Sequence, residues 1–368
     1  MNTSPGVPKA LKFGGGGNNG SLLHLVRMAK TLQAQKEENP AVYTIATFSA
    51  FRFVTAYLRQ VYDEGLAAVS PVYKDVVRNK LRKVFHDHHH MLDGLAQIER
   101  SHGLVSEDEL PSFNKRLVVE IDKGHQAIGH LCEQAERALE RLFQAIERGG
   151  SDQRHSIKAE LESFGERLAT EGVVLPLLRS LPGLPVLHVP AFKFMRAGVC
   201  RDQKFTAPSI LWEESYHEMR GQLTHIADNS GYRGSPIPQE SIILVTEGFI
   251  ALTPDGAVVT IGTDNSDQTN GLIAKASFDW YFDRLEMPPP IGLKPTSILF
   301  KQLDPSHLSP PPMTFDELRK KQRALGSRLV SPDAINDAEN YGMCIDVHDI
   351  EKGTVIRFEN PVVETVAK

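Results

Sequence analysis

The sequence predicts an α/β fold, an αβα sandwich with a mainly parallel central sheet, and three observations predict it. A short apolar strand, "KALKF" (residues 9–13), runs into the glycine-rich "GGGGNNGS" and then an amphipathic helix, "SLLHLVRMAKTLQAQ". A second strand, "AVYTIATF", is followed by another helix, "FRFVTAYLRQVYDEG". The rhythm resumes at Glu160 with "ELESFGERLATEGVVLPLL" and the strand-like "LPVLHV". Strands alternating with helices imply parallel pairing through crossovers, with helices on both faces of the sheet.

Between these α/β portions, residues 73–150 carry apolar side chains at three- and four-residue spacing, which predicts an enlarged helical subregion. After "LPVLHV" an irregular segment holds a helix near Trp212–Ile226, and "ESIILVTEG" leads as a strand into the hairpin-like "GFIALTPDGAVVTIG". Residues 258–276, "VVTIGTDNSDQTNGLIAKA", read as a strand, a polar turn and a helix. The proline-rich "EMPPPIGLKP" and "LSPPPM" are surface connections, and "CIDVHDIEKGTVIRF" reads as strand, turn and strand. There is no internal repeat, and residues 1–368 are expected to form a single domain.

Composition narrows the classes. A net charge of -5 gives no general attraction to nucleic acid or to anionic membranes. Cys132, Cys200 and Cys344 are far apart, odd in number and form no CxxC pair, against a zinc ribbon or disulfide framework and for a reducing compartment. No apolar run approaches the ~20 residues of a spanning helix, and no secretory signal is visible, so a cytoplasmic protein is expected.

Three motifs carry candidate chemistry. The run His86, His88, His89, His90 suggests a metal site, but adjacent helical residues point in different directions. His86 and His90 can chelate as an i, i+4 pair; sequence fixes no third ligand, so the run reads as a solvated helix face and no metal ligand is assigned. "KFGGGGNNG" follows a strand and precedes a helix, where backbone N–H groups approach phosphate oxygens. The Walker spacing is absent, so a flexible turn and a phosphate cradle both fit. The polar turn Thr263–Asp267 is either a helix cap or a ligand turn over a helix N-terminus.

In order, "KFGG", "SFGERL", "VTEGFIALTPDGAVVTIGTDNSDQTNGLIAKA" and "ALGSRLVSPDAI" resemble segments of the aspartate kinases, a branch of the amino-acid kinase superfamily. That family carries a lysine-phenylalanine-glycine-glycine-threonine-serine opening and a glycine-glutamate-arginine-leucine helix start. It also carries a threonine-x-glycine-phenylalanine-isoleucine-glycine strand and a glycine-arginine-glycine-glycine-serine-aspartate turn. The resemblance spans nearly the whole chain and is weakest over residues 73–150. It implies ATP and Mg²⁺ as cofactors, phosphoryl transfer to a carboxylate (or hydroxyl) of an amino acid or related small molecule, and a homodimer. Residue by residue, it implies that Lys12 neutralises the transferring phosphoryl group, and that Asp267 organises the reacting groups. Gly14, Gly15 and Gly16 would cradle the nucleotide phosphates, with Lys301 and Arg328 near the nucleotide. Glu166 would hold the substrate ammonium, beside Thr263 and Ser266.

The departures concentrate where aspartate would be recognised. The family's threonine-serine is Gly16-Gly17, and the arginine that grips the substrate carboxylate is Thr263, whose hydroxyl cannot form a bidentate, charge-assisted fork. Asp264 and Asn265 replace two glycines and add a negative charge. Arg52 and Arg196 are candidates for the missing cation. The nucleotide loop is the divergent "LFKQLDPSHLSP". The sequence ends soon after "KGTVIRF", where the family begins its regulatory ACT domains, so feedback through such domains is not expected. Three readings stay open: a small-molecule kinase with altered specificity, a non-catalytic pseudokinase that binds a ligand or partner protein, and different chemistry on the same fold.

Overall fold

The structure is a computed structural model that describes residues 7–14, 22–38, 43–49, 52–97, 103–149, 152–198, 209–229, 242–248, 250–254, 256, 258–261, 266–301, 313–326, 329–349 and 355–359. Its centre is a seven-stranded sheet of β1 (Lys9–Phe13), β2 (Thr44–Phe48), β3 (Val186–His188), β4 (Ile243–Glu247), β7 (Thr296–Lys301), β8 (Cys344–Asp349) and β9 (Val355–Phe358), in the order β3-β4-β2-β1-β7-β8-β9. Every pair is parallel except β8 with β9. β5 (Ile250–Leu252) and β6 (Val258–Thr260) form a separate antiparallel hairpin. The expected mainly parallel α/β sheet is present, and "KALKF" and "CIDVHD" are strands over the expected residues.

Side-chain alternation along the strands divides the interior. Leu11, Phe13, Ala46, Phe48, Ile243, Val245, Ile298 and Phe300 face one apolar cluster with α1 (Leu22–Glu38), α2 (Arg52–Leu66) and the helical subregion. Ala10, Ile45 and Leu244 face the other side, against α7 (Trp212–Asn229) and α8 (Ser266–Arg284). A third cluster joins Leu299, Ile345 and Val347 to α9 (Phe315–Leu325) and α10 (Pro332–Asn340). α8 is buried on nearly every side because it lies between the sheet and α7, so it shows no single apolar stripe.

The helical subregion consists of α3 (Pro71–Gly94) and α4 (Leu110–Glu147), which pack together. Ser70 starts α3 by accepting the Tyr73 N–H, with Pro71 at the first helical position, where its missing N–H is harmless. α4 spans about 57 Å at 1.5 Å per residue over its 38 residues. Phe113, Leu117, Ile128, Leu131, Ala135, Leu139 and Leu142 form its buried stripe at helical spacing. α5 (Asp152–Ala169) then passes through a π-helical turn, Thr170–Val174, into α6 (Leu175–Ser180). None of the described helices is long and apolar enough to cross a membrane.

Candidate active site

In an open parallel sheet, ligands gather at the carboxyl ends of strands where the chain's direction of winding reverses. Here that point lies between β1, which leads to β2 on one side, and β7, which leads to β8 on the other. Lys12 is the penultimate residue of β1 and is buried; Lys301 ends β7. Both reach Asp267, the second residue of α8. Lys12 Nζ is 3.0 Å from Asp267 Oδ1, and Lys301 Nζ donates to Oδ2 at 2.7 Å. The Ser331 N–H, at the start of α10, also donates to Oδ2 at 3.2 Å, and Lys301 donates to the Leu329 carbonyl.

Asp267 is 2% exposed. Burial alone would raise its pKa, but the two ammonium groups outweigh that and hold the carboxyl at about 2. The cluster therefore has two cations and one anion, over the positive end of α8, and its net field favours an anionic ligand. Asp267 Oδ1 is held by the Lys12 ammonium, and Oδ2 by Lys301 and the Ser331 N–H.

The neighbouring backbone is built for close approach. Gly14, directly after β1, has a φ of 122°, a conformation side chains rarely adopt, and its carbonyl accepts from Lys12 Nζ at 3.3 Å. A Cβ on Gly248 would lie 2.5 Å from Ser266 Cβ, so only glycine lets the end of β4 meet the start of α8 there. Ser49, after β2, donates its hydroxyl to Ser266 Oγ at 2.9 Å. Asn270, one turn along α8, fixes that helix to the sheet: its amide donates to Ser297 Oγ at 2.8 Å and to the Ala10 carbonyl at 3.2 Å, and its carbonyl accepts from Thr47 at 3.3 Å. Phe48, Phe13 and Phe300 stack in a row on the opposite sheet face, beneath this floor.

Of the residues singled out in the sequence, Lys12, Gly14, Ser266, Asp267 and Lys301 thus meet at one end of the sheet. Lys301, expected near the nucleotide, proves to be the second cation on Asp267. Glu166 is buried on α5, the helix packed against β6, just before the π turn. Gly15, Gly16, Thr263 and Arg328 lie outside the described residues, as does the Arg52 side chain. Arg196 is committed to its own loop, donating to the Phe192 and Lys193 carbonyls and pairing with Glu218. That use of its guanidinium counts against Arg196 as the missing carboxylate-binding group.

Among the buried carboxylates that were not anticipated, two tie strand ends to their neighbours. Glu247, the last residue of β4, is fully buried; its Oε1 is 2.6 Å from His188 Nε2 and its Oε2 accepts the Ala191 N–H at 2.8 Å. Burial would raise its pKa, but the charge and hydrogen bond of His188 bring it below the usual carboxylate range. Glu162, one turn before Glu166, accepts from Arg59 Nε at 2.8 Å and from the Thr260 hydroxyl at 3.4 Å, tying α2 and α5 to the end of β6. The signal for Glu247 was an acid at the end of the otherwise apolar "IILVTEG"; the charged "ELESFGERL" gives no such signal for Glu162.

No family model and no curated protein sequence matches the chain. Solved structures match its fold. Escherichia coli aspartokinase III in complex with aspartate and ADP (R-state) aligns with a TM-score of 0.61 at 16% identity, over 97% of this chain and 65% of that one. The same enzyme with lysine and aspartate (T-state) gives 0.59 and 16%, over 97% and 66%. Clostridium acetobutylicum aspartate kinase gives 0.51 and 14%, over 96% and 62%. The chain thus spans just under two thirds of the length of these enzymes. At such identities the likeness is one of fold: an aspartate kinase-like α/β sandwich, with its chemistry still to be argued from the site.

Proposed function

We propose that the protein is an ATP-dependent phosphotransferase that acts on a carboxylate (or hydroxyl) of an amino acid or related small molecule, with a specificity changed from aspartate. The observation that carries this reading is the buried Lys12–Asp267–Lys301 cluster at the winding reversal of the sheet. Phosphoryl transfer asks little covalent chemistry of a protein; it asks for alignment and for positive charge where negative charge develops. When bound, Mg-ATP supplies the phosphoryl group. Lys12 and Lys301 would face the phosphate oxygens, and Gly14 leaves the backbone open for close approach. Asp267 would hold the two ammonium groups in place, and a Mg²⁺ ion that arrives with the phosphates needs only one or two carboxylates, of which Asp267 would be the one at this cluster.

On the acceptor side, Glu166 would take the substrate ammonium, with Ser266 and Thr263 near the acceptor group. Turnover of ATP across a panel of amino and hydroxy acids tests the proposal. Turnover is expected with at least one acceptor other than aspartate, and an Asp267→Asn variant that keeps full turnover would refute the role given to that carboxylate.

One observation favours the alternative, a non-catalytic protein that binds a ligand or partner. Both lysines are already engaged by Asp267, so the cluster satisfies itself without a ligand. Nucleotide binding without turnover of any acceptor would select that reading.

A further inference from the structure

The α3–α4 hairpin carries a histidine cluster that the strand-end site does not use. His86, His89 and His90 lie within two turns of α3, and α4 brings His125 across to His89. His89 Nδ1 is 2.6 Å from His125 Nδ1, with ring centroids 4.9 Å apart and ring planes 24° from parallel, so the rings meet edge to edge. The other nitrogen of His125, Nε2, is 2.9 Å from Asp93 Oδ1 on α3. Separately, His90 Nε2 is 2.9 Å from His86 Nε2, a pair within one helix. His88 is buried and bonded to the Val84 carbonyl, so it takes no part.

The Asp93 contact fixes the chemistry of His125. A carboxylate accepts, so His125 Nε2 carries the proton, and in the neutral ring Nδ1 is a bare lone pair. That lone pair points at a second ring nitrogen from the other helix. A carboxylate behind an imidazole whose far nitrogen is free is the arrangement that orients a histidine toward a metal ion and raises its basicity. His89 is suited to the same role because its Nδ1 faces His125 Nδ1 from the other helix.

We propose that His89 Nδ1 and His125 Nδ1, with Asp93 positioning His125, form a two-histidine site for a divalent transition-metal ion of the zinc type, joining α3 to α4. Among the described residues no three or more His, Cys, Asp or Glu side chains gather around one point that can hold a metal ion, so water supplies the remaining ligands. Zinc–nitrogen bonds of about 2.0–2.1 Å set the two nitrogens roughly 2.9–3.4 Å apart, which the pair reaches by parting less than about 1 Å and turning both rings so that their lone pairs converge on the ion. His89 moves its proton from Nδ1 to Nε2 on binding, so neutral rings release no net proton. Imidazole ligands select zinc, copper or nickel over magnesium, which prefers oxygen. The His86–His90 pair offers similar nitrogens but joins no two helices.

The test is a calorimetric titration of Zn²⁺ into chelator-stripped protein carrying His86→Ala and His90→Ala, which removes the exposed pair. One saturable ion per chain is expected, lost on adding His125→Ala or His89→Gln and weakened about tenfold or more by Asp93→Asn. Mg²⁺ should give no heat there, and Zn²⁺ should slow amide hydrogen exchange in the facing turns of α3 and α4 in the otherwise unaltered chain. Circular dichroism of each variant checks that the helices persist, and the exchange measurement needs no substitution at all. Absence of Zn²⁺ binding in the double variant, or binding indifferent to His125→Ala, would overturn the site and leave only surface chelation by His86 and His90. Binding indifferent to Asp93→Asn would remove Asp93 from it.

Discussion

The strand-end cluster and the α3–α4 hairpin are both held by ion pairs, yet the two regions use them differently. In the hairpin, Lys74, Arg78 and Arg82 recur every four residues along α3 and pair with Glu147, Glu140 and Glu136 of α4, all at the surface. Each such pair competes with water and with side-chain entropy and is worth about 0–1 kcal/mol. At the strand ends a single carboxylate serves two cations, with Asp267 and Lys12 only 3% and 4% exposed in their side chains. There water cannot replace a lost partner. The difference teaches that burial, rather than the number of ion pairs, marks where charge has been placed for use.

The largest expected effect comes from removing the shared anion. Asp267→Ala leaves Lys12 and Lys301 facing each other without compensation, and should destabilise by about 3–5 kcal/mol, measured by urea unfolding. A loss below about 1 kcal/mol would put the cluster in the same class as the surface ladder. Next is Gly248→Ala, whose added methyl meets Ser266 Cβ. Overpacking of this kind costs about 1–3 kcal/mol, and displacement of the α8 start should also raise the acceptor KM.

Acid should separate the two regions as well. The Asp267 pKa is lowered to about 2 from 3.8, so its contribution is present above the unfolded value and is lost as pH falls through the folded one. About 2 kcal/mol of stability should disappear between roughly pH 4 and pH 2. Glu247, lowered by His188, acts in the same direction. Urea unfolding at a series of pH values checks this, and Asp267→Asn should flatten the Asp267 part of the slope. The smallest effect is expected from Arg82→Ala, which breaks an exposed pair of the ladder and should change stability by less than about 1 kcal/mol.

Much of the fold was legible because strands and helices announce themselves locally. "KALKF" and "TIATF" are short apolar runs bounded by turn residues, and α4 shows its buried stripe at helical spacing. The candidate site was half legible. Lys12 and Ser266-Asp267 stood out because each sits where a strand or turn gives way to a helix, the place where backbone chemistry permits a ligand. The pairing of Lys301 with Asp267, the anchoring of α8 by Asn270, and the Glu247–His188 and Glu162–Arg59 pairs depend on which strands become neighbours. Strand order is a property of the folded sheet, and no local pattern around Asn270 or Arg59 reveals it. The same holds for His125, whose partners His89 and Asp93 belong to another helix.

Calorimetry with Mg-ATP at millimolar concentration, on the unaltered chain and on Lys12→Met, tests the central claim most directly. Saturable binding to the unaltered protein is expected, lost or strongly weakened when the Lys12 ammonium is removed. Absence of nucleotide binding to the unaltered chain, or binding equally tight in Lys12→Met, would contradict it.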